Sequence, residues 1–136
     1  MHSYTVSLRI ASPTLDTAQV TKELGLSPTQ TRAVGGKRGA QKLWEQALWE
    51  LEVFPDGPEH WESLEAGLST LIDTFSARNA LLQKYRAKHD VYLWVGHFSS
   101  SFDGGPRLSA EMLKALGDFG IPIYIDTYFS DDQTQG

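Results

Sequence analysis

The sequence predicts an α+β domain: a ferredoxin-like two-layer sandwich of about four mostly antiparallel strands, helices on one face, and a long helix inserted between two β-α-β halves. Three observations carry this. Four segments alternate apolar and polar residues with period two. Three segments place apolar residues at helical spacing. The two kinds follow one another as β-α-β, long helix, β-α-β. Because every strand has one apolar and one polar side, an antiparallel or mixed sheet with one-sided helix cover is expected.

In the first strand, Tyr4, Val6, Leu8 and Ile10 alternate with Thr5, Ser7 and Arg9, and Pro13 closes it. Asp16 to Gln19 has capping-box form, with Leu15 and Val20 at staple positions, opening a helix over 17–24 that Gly25 ends. A second strand is expected within 43–54, where Ala47, Trp49, Leu51 and Val53 alternate with Leu48, Glu50 and Glu52. A helix is the rival there, since Trp44, Leu48 and Leu51 also have helical spacing. The β-rich tail from Trp49 to Phe54 favours the strand.

Leu64, Leu68, Leu71, Ile72 and Phe75 form the stripe of the longest helix, continued by Leu82 and Tyr85, with a kink expected near Ser76–Asn79. A third strand runs from Asp90 to Phe98, with Val91, Leu93 and Val95 on one side and Tyr92, Trp94 and Phe98 on the other. Ser109 caps the third helix, whose stripe is Leu113, Leu116 and Phe119, and Gly120 and Pro122 end it. Ile123, Ile125 and Thr127 then alternate with Tyr124, Asp126 and Tyr128 in the last strand. One domain over 1–130 and a disordered polar tail over 131–136 complete the expected organisation.

Composition narrows the function. With no cysteine, disulfides, thiolate metal sites and cysteine nucleophiles are excluded. The N-terminus lacks a basic region followed by an apolar core, and no apolar run approaches the ~20 residues of a membrane span. A cytoplasmic, bacterial-type protein with no membrane partner is expected. The net charge of −5 argues against general nucleic-acid binding.

The charge is unevenly distributed. Residues 26–44 hold Arg32, Lys37, Arg38 and Lys42 and no acid, leaving eight basic against seventeen acidic residues elsewhere, a net −9. Gly35, Gly36 and Gly39 free the backbone of this loop, so 28–44, with Arg32, Lys37, Arg38 and Trp44, is a candidate site for a small anion. The Walker pattern is absent. Against a site stands the plain alternative of a solvated surface loop. Arg107 and the serines of 99–109 lie just before a helix N-terminus, a second candidate anion position; a hydrated, capped loop is the plainer account.

No cofactor is implied, and no histidine pair has metal-ligand spacing. His97 and Asp126 would make an acid–base pair if the last two strands adjoin, though a structural hydrogen bond is the simpler role for His97. No complete catalytic set is present. Tyr92, Trp94 and Phe98 with Tyr124 and Tyr128 form an aromatic row that one-sided helix cover would leave facing out, as a surface for a protein partner or a homodimer.

Three segments together resemble the DUF4279 family of small, largely bacterial proteins of unknown function. They are Glu23-Leu-Gly-Leu26 closing the first helix, Ser27-Pro-Thr29 leading through the Gly/Lys/Arg loop to Trp44, and the ending from Leu108 to Tyr128. The resemblance implies a single α+β domain. It supplies no activity, cofactor or catalytic residue.

Overall fold

Period-two alternation over β1 (His2–Ser12) buries Tyr4, Val6, Leu8 and Ile10 at the centre of a five-stranded mixed sheet. The computed structural model describes residues 2–35, 37–38, 42–43 and 45–130, the side chains of 37, 38, 42 and 43 excepted. The remaining elements are α1 (Thr17–Leu24), β2 (Gln30–Arg32), a short antiparallel ribbon of β3 (Lys37–Arg38) and β4 (Lys42–Leu43), β5 (Ala47–Val53), α2 (Leu64–Phe75), a 3-10 turn (Ser76–Arg78), α3 (Asn79–Arg86), β6 (Asp90–Ser99), α4 (Ala110–Phe119) and β7 (Ile123–Phe129).

Local chemistry sets the helix ends. Asp16 accepts from the Gln19 amide at 3.2 Å, Ser63 from Ala66 at 3.2 Å and Ser109 from Met112 at 3.1 Å, each filling one orphan donor of a first turn. Gly25 (φ 69°) and Gly120 (φ 74°) end α1 and α4 in left-handed geometry. The long helix breaks where Ser76 and Asn79 weaken it, through the 3-10 turn between α2 and α3.

The sheet order is β2-β5-β1-β6-β7. β1 lies antiparallel between β5 and β6, whereas β6 and β7 are parallel. Two expectations change. The sheet has five strands rather than four, because the polar segment Gln30–Arg32 pairs with β5. The first half is not a β-α-β crossover: β1 and β5 run antiparallel, so among the described residues only β6-α4-β7 makes a parallel connection. The chain also returns at Trp61, whose amide and carbonyl both bond Tyr4 at 2.8 Å, while its indole N–H donates to the Val53 carbonyl at 2.9 Å.

Every helix among the described residues packs on one side of the sheet, into one core that joins Val20, Leu68, Phe75, Leu82, Leu116 and the inward residues of β1, β5 and β6. Trp49 and Phe75, both fully buried, meet edge to face at 6.3 Å. Each such side chain contributes about 1.5–3 kcal/mol by leaving water. Among the described residues no helix is long and apolar enough to cross a membrane.

Candidate functional site: the open face of the sheet

Strand parity assigns the opposite face. Register places Arg9 between Glu50 and Tyr92, Ser7 between Glu52 and Trp94, and Ser3 opposite Phe98. Across β7, Trp94 meets Tyr124, Gly96 meets Asp126 and Phe98 meets Tyr128. No described helix covers these side chains, so they cover one another.

Aromatic stacking organises one end. His60, carried in by the Trp61 return, stacks on Phe98 at 4.9 Å, and Phe98 stacks on Tyr128 at 5.2 Å. At the centre, Arg9 lies over the Trp94 ring at 4.1 Å while its Nε donates to Glu50 at 2.7 Å. The same Glu50 oxygen accepts from Ser7 at 2.7 Å. With its amide nitrogen turned to Glu50 at 3.2 Å, Gln30 accepts from Arg32 Nε at 2.9 Å. Trp94 Nε1 donates to Asp126 at 3.0 Å. One polar chain thus crosses the face from Arg32 on β2 to Asp126 on β7.

The electrostatics follow from packing. Burial alone would lower the Arg9 guanidinium, but the Glu50 carboxylate outweighs it and raises the group. Burial, and then Glu50, raise the Glu52 carboxyl. Beside this network is a cleft of about 440 Å³ lined by Arg9, Asp90, Tyr92, Trp94, Tyr124 and Asp126, among others. A second cleft, of about 410 Å³, lies between α1 and α3, where Tyr85 donates to Glu23 at 2.5 Å and His89 meets Ser12 at 2.5 Å. Burial, then the Glu23 carboxylate, raise the Tyr85 phenol.

The expected aromatic row is therefore assembled on one face: Tyr92, Trp94 and Phe98 half-buried, Tyr124 and Tyr128 exposed. Arg32 lies on the same face at its far edge. The side chains of Lys37, Arg38 and Trp44, and the tail 131–136, lie outside the described residues. Arg107 is exposed in the loop before α4. The N-terminus of that helix already holds an anionic group, since the Glu65 carboxylate accepts from the Ser109 amide.

His97 and Asp126 do not form an acid–base pair. His97 is opposite Thr127, so it points to the helix side while Asp126 points to the open face. His97 instead stacks between Tyr4 and His2, both at 5.0 Å, and bonds His2 at 2.8 Å and Thr127 at 3.2 Å. Burial, and next His2, lower its pKa. Among the described residues no three acidic or histidine side chains gather to hold a metal.

Arg9, Glu50 and His60 are members of the face that sequence reasoning did not single out. Arg9 and Glu50 carried a signal, as charged residues on the polar side of two alternating segments. His60 carried none, since its place depends on the return of the chain at Trp61.

The chain belongs to the family described as Domain of unknown function (DUF4279), whose model matches residues 2–130. No curated protein and no solved structure matches it.

Proposed function

We propose that this domain is a non-catalytic interaction module whose contact surface is the uncovered sheet face, from Arg9 and Trp94 to the exposed strand β7. One observation carries the reading: an aromatic ladder, His60 to Phe98 to Tyr128, stands on the side of the sheet that no described helix covers. Rigid aromatic rings with a polar tip supply contact area at small entropic cost, and they are enriched where proteins meet. Arg9, held by Glu50 and Trp94, adds an ordered cation to the same surface.

The first partner to test is a second copy. Sedimentation equilibrium across the micromolar range should show reversible self-association, weakened when Tyr124 and Tyr128 are replaced by serine. A strictly monomeric wild type would remove self-association from this reading and leave only a different protein as partner. The runner-up, an anion site in loop 28–44, rests on the sequence charge of Arg32, Lys37 and Arg38. A thermal shift with inorganic phosphate, lost on replacing these three with alanine, is its test; ligand at ~100 times its Kd adds ~2.7 kcal/mol.

A further inference from the structure

We propose that β7 is a pairing edge: two copies of this chain join antiparallel along it, about a two-fold axis at Thr127, into one continuous ten-stranded sheet. This deepens the interaction reading and rests on it. The occupant is a second copy because the edge complements itself in one register and clashes in its neighbours.

Hydrogen-bond parity comes first. Leu93 donates to the Pro122 carbonyl and Ser130 to that of Ser99, both on the β6 side of β7. Even-numbered residues of this parallel pairing therefore turn their backbone groups toward β6. Ile123, Ile125, Thr127 and Phe129 turn theirs outward, where no described strand pairs with them. Edges are ordinarily guarded by lysine, proline, a bulge or a very short strand. The other edge, β2, is three residues long. β7 is seven residues long, and its one charge, Asp126, is tied inward to Trp94.

Exposed apolar surface gathers at this edge. Tyr124, Ile125, Tyr128 and Phe129 are 57, 38, 48 and 44% exposed, and Phe102, stacked on Phe129 at 4.2 Å, is 88% exposed. At ~200 Å² per large side chain this is up to roughly 550 Å² per copy. Two copies reach ~1,100 Å², near the ~1,000 Å² that a specific interface needs.

Register then selects the axis. Outward residues must oppose outward residues, which leaves three central alignments. An axis at Asp126 would set that carboxylate against its own copy, at the closest cross-strand spacing. An axis at Ile125 would put Tyr128 and Phe129 against the partner's Pro122 and the partner's Ile121, in the turn leaving α4. An axis at Thr127 pairs Ile125 with the partner's Phe129 on the helix side. On the open face it brings Asp126 opposite the partner's Tyr128, a phenol donor beside a carboxylate. About six backbone bonds form, and the partner's Tyr128 borders the cleft beside Trp94.

The absence of cysteine makes the test clean. Opposed residues in such a pair have Cα atoms ~5.5 Å apart, within disulfide reach. Thr127→Cys should therefore give mostly disulfide-linked dimer under mild oxidation, at least ~10-fold more than Ile125→Cys, whose two copies would lie ~14 Å apart. Should Thr127→Cys fold poorly, a mixture of Ile125→Cys and Phe129→Cys proteins is the second route: they should link in the mixture and not alone. A wild-type dimer with no preferential linking at these positions overturns the β7 edge and leaves the interaction reading standing. A wild type that stays monomeric at high micromolar concentration overturns both this edge and self-association.

Discussion

His2 and His97 stack at 5.0 Å and share a hydrogen bond of 2.8 Å between Nδ1 of the first and Nε2 of the second. Their tautomers follow from their outer partners. His2 Nε2 meets the Asp103 carbonyl at 2.7 Å, and a carbonyl only accepts, so His2 donates there. A neutral His2 then accepts at Nδ1, His97 donates from Nε2, and His97 Nδ1 accepts from the Thr127 hydroxyl. The chain of donors is complete with both rings neutral.

This makes stability depend on pH. His97 is 4% exposed, and burial, followed by His2, holds its folded pKa below the ordinary value. The unfolded chain thus takes up a proton that the folded chain refuses. The contribution of neutral His97 is fully present above about pH 6.5 and is lost as pH falls from there through the folded pKa, by at most ~1.4 kcal/mol per pH unit. Urea midpoints measured from about pH 8 to about pH 5 should fall, and His97→Gln should flatten that fall. Equal slopes in the two proteins would contradict the account.

Thr5→Val should stabilise the domain. Thr5 Oγ1 is buried without a hydrogen-bond partner, opposite Gly96. An orphaned hydroxyl costs ~1–3 kcal/mol, and valine keeps the shape while removing the oxygen. The expected gain is about 1 kcal/mol, read as a higher urea midpoint with an unchanged slope. A loss of stability would show that the hydroxyl has a partner in solution.

In α2, Gly67→Ala should invert the usual sign. Alanine in place of glycine within a helix ordinarily gains ~1 kcal/mol. Here the new Cβ would lie 2.8 Å from Val6 Cγ2 and 3.1 Å from Trp61 Cγ. Neither atom is the far end of a flexible chain, so Trp61 or the helix must shift, at ~1–3 kcal/mol. A lower melting temperature with altered tryptophan fluorescence is expected, and Gly67→Ala combined with Val6→Ala should lose less than the two single effects added.

Much of this architecture was legible in local pattern. The alternation of Val91, Leu93 and Val95 against Tyr92, Trp94 and Phe98 assigned the two faces of β6 as they stand. Asp16, Ser109 and the glycines at 25 and 120 carry their signals within a few residues, so those helix ends could be read. Strand order could not, because pairing β1 with both β5 and β6 is a long-range choice that period two does not encode. β2 was missed because Gln30-Thr31-Arg32 has no apolar alternation; its place is fixed by pairing with β5, with Thr29 bonding Glu50 at 2.8 Å just before it. The supposed His97–Asp126 pair failed by one residue of register, which in a strand is the difference between opposite faces. The site inherits this division: its aromatic members were visible as a row, and the Arg9–Glu50 centre emerged only once β1 and β5 were adjacent.

That centre yields the last prediction. Glu50 is 6% exposed and is held by Arg9 and Ser7 at one oxygen. Arg9→Met keeps the stem over Trp94 but leaves the carboxylate buried without its cation, which costs about 3 kcal/mol, the low end for a broken buried pair, because the Arg9 side chain is 21% exposed. Glu50→Met strands the guanidinium instead, yet its stacking on Trp94 and its exposure leave it partly solvated, so a loss of ~1–2 kcal/mol is expected. Removing both charges leaves nothing uncompensated, and the double variant should lie within ~1 kcal/mol of wild type. The coupling energy from urea unfolding of the four proteins is the measurement. Additive losses in the double variant would mean that Arg9 and Glu50 are stabilised separately and that the pair does not organise the open face.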